Sequence, residues 1–117
     1  MESENAIEAL SALAHPGRLA VFRLLVRAGP EGLPAGEVAR LLNTPANTMS
    51  AQLAILARTG LIRFRRESRS IIYAADYTQI TALLGFMVED CCQGRPEICQ
   101  PVAALAACCQ PRMETIP

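Results

Sequence analysis

"NTPANTMSAQLAILARTGLIRFRRESRSIIYAA", residues 43–75, changes its apolar period once, and that change decides the fold. Before Gly60 the apolar positions Met49, Leu53 and Leu56 recur at helical spacing. Thr44 and Pro45 have the character of an N-cap and a first helical residue, and Gly60 closes the segment. Beyond Gly60 the spacing drops to two: Ile62 and Phe64, then Ile71 and Tyr73, alternate with polar or small neighbours. That pattern predicts two short strands turning around Glu67–Arg69. One helix therefore runs straight into a hairpin.

Upstream, Asn5 and Glu8 can form a capping pair for a first helix with Ile7, Leu10 and Ala14 on one face. Pro16 suits the first turn of a second helix, whose stripe is Leu19, Phe22, Leu25 and Val26, ended by Gly29-Pro30. A short third helix spans about Gly36–Leu42, with Val38, Leu41 and Leu42 facing inward. Downstream, Asp76 with Gln79 caps a fifth helix that carries Ile80, Leu83, Leu84, Met87 and Val88. Gly94 and Pro96 stop it, and an apolar tail from Val102 to Cys109 follows. No repeat and no long linker interrupts the chain. The expected layout is one domain over residues 1–92 and a cysteine-containing extension over 93–117.

With 117 residues, 51% of them apolar, the chain is globular, and no apolar run reaches the ~18 residues of a membrane span. An acidic start, "MESENAIEAL", is unlike a secretory signal, and the five cysteines are an odd number. Both point to the cytoplasm, with reduced thiols and no membrane partner. The formal net charge is zero, yet it is unevenly laid out. Residues 1–57 carry four Arg against five Glu, whereas residues 58–69 carry five Arg against one Glu. Residues 70–117 carry two Arg against five acids, and every basic residue in the chain is Arg. A local basic patch of this kind can hold a phosphate backbone.

Two helices joined by the tight "NTP" turn, then a basic hairpin, is the order of a winged helix-turn-helix. The fold class is therefore mainly α with a small β-hairpin: five helices plus a wing. On the fourth helix, Asn47, Thr48, Ser50 and Gln52 are short polar side chains suited to base edges in a major groove. Arg65, Arg66 and Arg69 on the hairpin suit the backbone or a minor groove, so the expected partner is double-stranded operator DNA. A small thiol enzyme such as an arsenate reductase would need an anion-cradling loop, and none is visible. No catalytic activity and no organic cofactor are expected.

These motifs resemble the ArsR/SmtB metalloregulatory repressors over about residues 7–92. "LSALAHPGRLAVFRLLV" is similar to the family's second-helix signature, "NTMSAQLAILARTGLI" to its recognition helix and "FRRESRSIIYAA" to its wing. Two positions depart: His15 replaces the usual Asp before Pro16, and Ala51-Gln52 replaces a pair of ring-bearing residues after Ser50. The resemblance implies a homodimer, paired through the first and fifth helices, that represses an operator until an inducer binds.

Cys91, Cys92 and Cys99 fall within nine positions, in "CCQGRPEIC". A disulfide, a metal site, a redox switch and plain core packing of Cys91 are the possible uses. Adjacent residues diverge by ~100° on a helix, so the vicinal pair converges only where the helix ends, and Gly94 supplies an end. The stretch corresponding to the site of the best-known arsenic sensors, "PAGEVARLLN", has no cysteine. Zinc-sensing members use a His-and-carboxylate set on the fifth helix, and the only histidine here is His15, better suited to starting a helix. Some arsenic-responsive members carry a vicinal pair plus a third cysteine after the fifth helix, and this arrangement resembles theirs. Three soft thiolates without a fourth ligand suit As(III) or Sb(III) as inducer. The alternative is a redox-sensing or Cd/Zn-responsive repressor of the same fold. Cys108 and Cys109 are not expected as primary ligands.

Overall fold

The computed structural model describes residues 1–88; the expected cysteine site at Cys91, Cys92 and Cys99 and the extension lie outside the described residues. The order is α1 (Ser3–Leu13), α2 (Pro16–Ala28), β1 (Leu33–Pro34), α3 (Ala35–Leu41) and α4 (Ala46–Arg58), then β2 (Ile62–Glu67), β3 (Ser70–Ala75) and α5 (Tyr77–Val88). The three strands form one antiparallel sheet in the order β1-β3-β2. Five helices with a hairpin wing is the expected architecture.

The core assembles where the apolar spacing of several elements meets. Val21 and Leu25 of α2, Val38 of α3 and Met49, Leu53 and Leu56 of α4 are fully buried together, with Ile62 and Ala75 at the root of the wing. A second cluster joins Ala6 and Ala9 of α1 to Leu61 and to Leu83 of α5. Each fully buried Leu of this kind contributes on the order of 2 kcal/mol by removal from water.

Helix α1 departs from its expected face. It begins at Ser3, so Asn5 lies inside the first turn and does not pair with Glu8 as a cap. The buried stripe is Ala6, Ala9 and Ala12, and Ile7 and Leu10 face outward. Small side chains let a helix approach its neighbours closely, and the large ones are left on the outer side. The carboxyl end of α1 is held by Arg18, whose Nε donates to the Ala12 carbonyl at 2.6 Å. A cation at that end also complements the helix dipole.

His15 starts α2 as its N-cap, accepting at Nδ1 from the amides of Gly17 (3.0 Å) and Arg18 (3.3 Å). The cap of α4 is Pro45 and not Thr44, whose hydroxyl donates instead to the Leu42 carbonyl at 3.0 Å. In α3 the buried residues are Val38 and Ala39, Leu42 just beyond it is half-buried against the core as expected, and Leu41 is exposed. Asp76 caps α5 as expected, its Oδ1 accepting from the Gln79 amide at 3.2 Å. The stripe of α5 is only partly used: Leu83 is buried, Ile80 half-buried, and Leu84, Met87 and Val88 are exposed.

Strand β3 is the middle strand, and its burial alternates over Ile71–Ala74 in the opposite phase to the one expected. Ile72, Ala74 and Ala75 are buried, whereas Ile71 and Tyr73 are only half-buried. Strand β1 has no counterpart in the sequence reading, since two residues cannot show a period. Its Pro34 lacks an N–H and suits an edge strand. Among the described residues no single helix is long and apolar enough to cross a membrane.

Candidate nucleic-acid interface

The turn from α3 to α4 is compact because Asn43 takes a left-handed conformation, φ +51°, which Asn tolerates better than most residues. The Thr44 amide closes the turn on the Ala39 carbonyl at 2.9 Å. On α3, Arg40 is paired with Glu37 three positions earlier, Nε to Oε1 at 3.0 Å. That hydrogen bond holds the Glu37 carboxyl below the usual carboxylate range and raises the Arg40 guanidinium. The pair is solvent-exposed and adds little stability.

With Met49, Leu53 and Leu56 turned inward, α4 shows the opposite side to solvent. Asn47, Thr48 and Ser50 are exposed there, within the first two turns. The N-cap residue Pro45 offers no capping side chain and no acidic residue lies in the first turn, both of which suit an approaching phosphate. The Asn47 Oδ1 accepts from the Thr48 amide at 2.9 Å, and its NH2 group has no partner among the described residues. Gln52 is half-buried, on the flank of α4 that faces α2. Its carboxamide occupies the space where a Cβ on Gly17 would stand.

The wing arginines divide by what holds them. Arg65 is committed within the protein: its Nη2 donates to the Glu31 carbonyl at 3.0 Å and its Nε to Glu67 at 3.1 Å. Arg66 and Arg69 are exposed and, among the described residues, have no hydrogen-bond or ion-pair partner. They flank the hairpin tip, where Ser68 has φ +56°. The aromatic pair Phe64 and Tyr73, centroids 5.9 Å apart, stiffens the wing below them. A polar helix face and exposed guanidiniums at the hairpin tip, without partners among the described residues, are the parts of a groove reader.

A family model described as a helix-turn-helix domain matches residues 13–64. The HTH-type transcriptional regulator YgaV of Escherichia coli is 30% identical over 90 residues, which cover 77% of this chain and 89% of YgaV. The chain is a winged-helix transcriptional regulator of the ArsR/HlyU type. Solved structures agree. HlyU from Vibrio cholerae superposes with a TM-score of 0.61 at 28% identity, over 75% of this chain and 95% of HlyU. The ArsR family transcriptional regulator RHA00566 gives 0.65 at 26%, over 77% and 90%. Membership sets the regulator among proteins that control transcription, not among enzymes.

In the regulator, then, the structure leaves Asn47, Thr48 and Ser50 exposed on α4, tucks Gln52 beside α2, and separates Arg65 from Arg66 and Arg69 by their hydrogen-bond partners. The sequence reading missed Glu31 as an anchor of the wing, since its carbonyl meets a residue 34 positions away. Among the described residues no group of three or more His, Cys, Asp or Glu could hold a metal ion. Replacing Arg66 and Arg69 by Ala is expected to weaken binding to all DNA sequences and to reduce the slope of log K against log salt by about two. Arg65→Ala should act mainly on wing stability. A salt series measured by fluorescence anisotropy separates the two, and an unchanged slope for the Arg66/Arg69 variant would remove the wing tip from the interface.

Proposed function

We propose that the regulator is a homodimeric repressor that leaves its operator when As(III) or Sb(III) binds Cys91, Cys92 and Cys99. The DNA half rests on one observation: α4 carries Asn47, Thr48 and Ser50 exposed near its start, and Arg66 and Arg69 on the wing have no partner among the described residues. The inducer half rests on the donor set, three thiols within nine residues, the first of them three positions after the end of α5. Three thiolates are soft donors and match a trivalent metalloid better than a hard cation. The homodimer reading rests on Ile7, Leu10 and Leu84, large apolar side chains left exposed on α1 and α5. Closing a partner over them would set the spacing of the two α4 helices, and spacing is what a two-half-site operator reads.

Release from nearly all bound to nearly all free needs a preference of about 5 kcal/mol for the released form. Three sulfur bonds can supply that, and one thiol contact cannot. A mobility shift on the DNA upstream of the protein's own coding sequence tests both halves, with arsenite, antimonite, cadmium, zinc or peroxide added in turn. Single Cys→Ser changes at 91, 92 or 99 should keep DNA binding and abolish release by arsenite. The double change Cys108→Ser with Cys109→Ser should alter little. Release by peroxide alone would favour a redox sensor, and arsenite release that survives Cys99→Ser would discard this ligand set.

A further inference from the structure

We infer that the DNA interface continues from α4 onto the start of α2, where His15 Nε2–H donates to a backbone phosphate. The inference rests on the reading of α4 as the groove-binding helix and adds a contact to it. Its starting point is the cap. Because Nδ1 of His15 accepts from both the Gly17 and the Arg18 amides, the neutral ring must carry its proton on Nε2. The same two hydrogen bonds fix the ring's orientation. His15 is exposed, and its Nε2 has no hydrogen-bond partner among the described residues.

Position supplies the acceptor. A Cβ built on Gly17 would meet the Gln52 carboxamide on one side and His15 Cε1, at 3.1 Å, on the other. The imidazole edge and the Gln52 side chain therefore border one point on the flank of α4. A helix with its side chains is about 10–12 Å across and the major groove about 12 Å wide, so α4 in the groove leaves little space on either side. Whatever packs against its flank within the first two turns then lies against a groove wall, and the walls are phosphates. Ser50 and Asn47, on the outer face, address the base edges. Gln52 stands between them and the wall, and His15 meets the wall itself.

Phosphate contacts position a protein without reading sequence, which gives the contact a signature. His15→Ser keeps an N-capping oxygen but withdraws the donor, and His15→Asp keeps the cap and places a carboxylate where the phosphate would sit. Affinity should fall about tenfold in the first variant, the usual loss of one hydrogen bond to a charged group, and further in the second. The loss should be equal for operator and random DNA, with the unfolding midpoint unchanged. One methylphosphonate per half-site should weaken the wild type and leave His15→Ser unaffected. The inference is overturned if both variants bind like the wild type while the Arg66/Arg69 variant weakens. It is also overturned if affinity and unfolding midpoint fall together and no methylphosphonate position distinguishes His15→Ser. Wild-type protein that binds neither operator nor random DNA would instead sink the reading of α4 on which the inference rests.

Discussion

Replacing Gly32 by Ala is expected to destabilise the domain by about 3–5 kcal/mol, from left-handed strain plus a backbone clash. Gly32 has φ +72°, and its amide donates to the Gly29 carbonyl at 3.1 Å in the turn that leads into β1. A Cβ there would press on the Tyr73 carbonyl oxygen, 2.9 Å from its carbon and 3.0 Å from the Ala74 Cβ. Tyr73 cannot retreat, because β3 is paired on both edges: Leu33 faces Tyr73 from one side and Phe64 from the other. The relief available is for β1 to lift away. That would withdraw Leu33 from the core and displace Glu31, the carbonyl that anchors Arg65. Against a total stability of about 5–15 kcal/mol the loss is large. Gly36→Ala is the matched control: it lies in α3 with nothing within 4 Å of its Cβ position, and Ala there should stabilise by up to about 1 kcal/mol. Urea unfolding of the two variants decides, and a Gly32→Ala midpoint equal to that of the wild type would refute the close approach.

The same contact marks where sequence reading stops. The α4 stripe, the hairpin and the Asp76 cap were legible because each is written in neighbouring positions: a period of 3.6, a period of two, and a cap three residues from its amide. Gly32 touches a residue 41 positions away, and Arg65 spends its charge on a carbonyl 34 positions away. Neither spacing has a local signature. Helix α1 failed for a different reason. Ile7 and Leu10 dominate any hydrophobic pattern, yet packing chose Ala6, Ala9 and Ala12, because only small side chains fit between α1 and its neighbours. A pattern identifies what is apolar, not which apolar side is covered within one chain. For the DNA face, charge counting treated three wing arginines alike, and only their hydrogen-bond partners separate Arg65 from Arg66 and Arg69.

Leu84→Glu is expected to leave the unfolding midpoint of the domain nearly unchanged and to weaken operator binding a hundredfold or more. Leu84 is 54% exposed in the single chain, so the new carboxylate stays in water and removes little buried surface. In a dimer closed over α1 and α5 the same carboxylate would be desolvated among apolar side chains without a partner, a cost of several kcal/mol. Dissociation then costs the second half-site. A lone α4 and wing hold DNA as a single module, without the effective concentration that joins two linked readers. Ile7→Glu, on α1, should behave in the same way. Phe64→Glu provides the contrast: it is 61% exposed but on the wing, and should leave the oligomeric state alone. Sedimentation and mobility shift on the same samples measure the two effects together. If Leu84→Glu stays dimeric and keeps its affinity, α5 is not the dimer contact, and release by thiol chemistry beyond its end would need another route to the recognition helices. If instead it becomes monomeric and loses the operator, the face that sets half-site spacing lies on α5, whose last residue, Val88, stands three positions before Cys91 in the sequence.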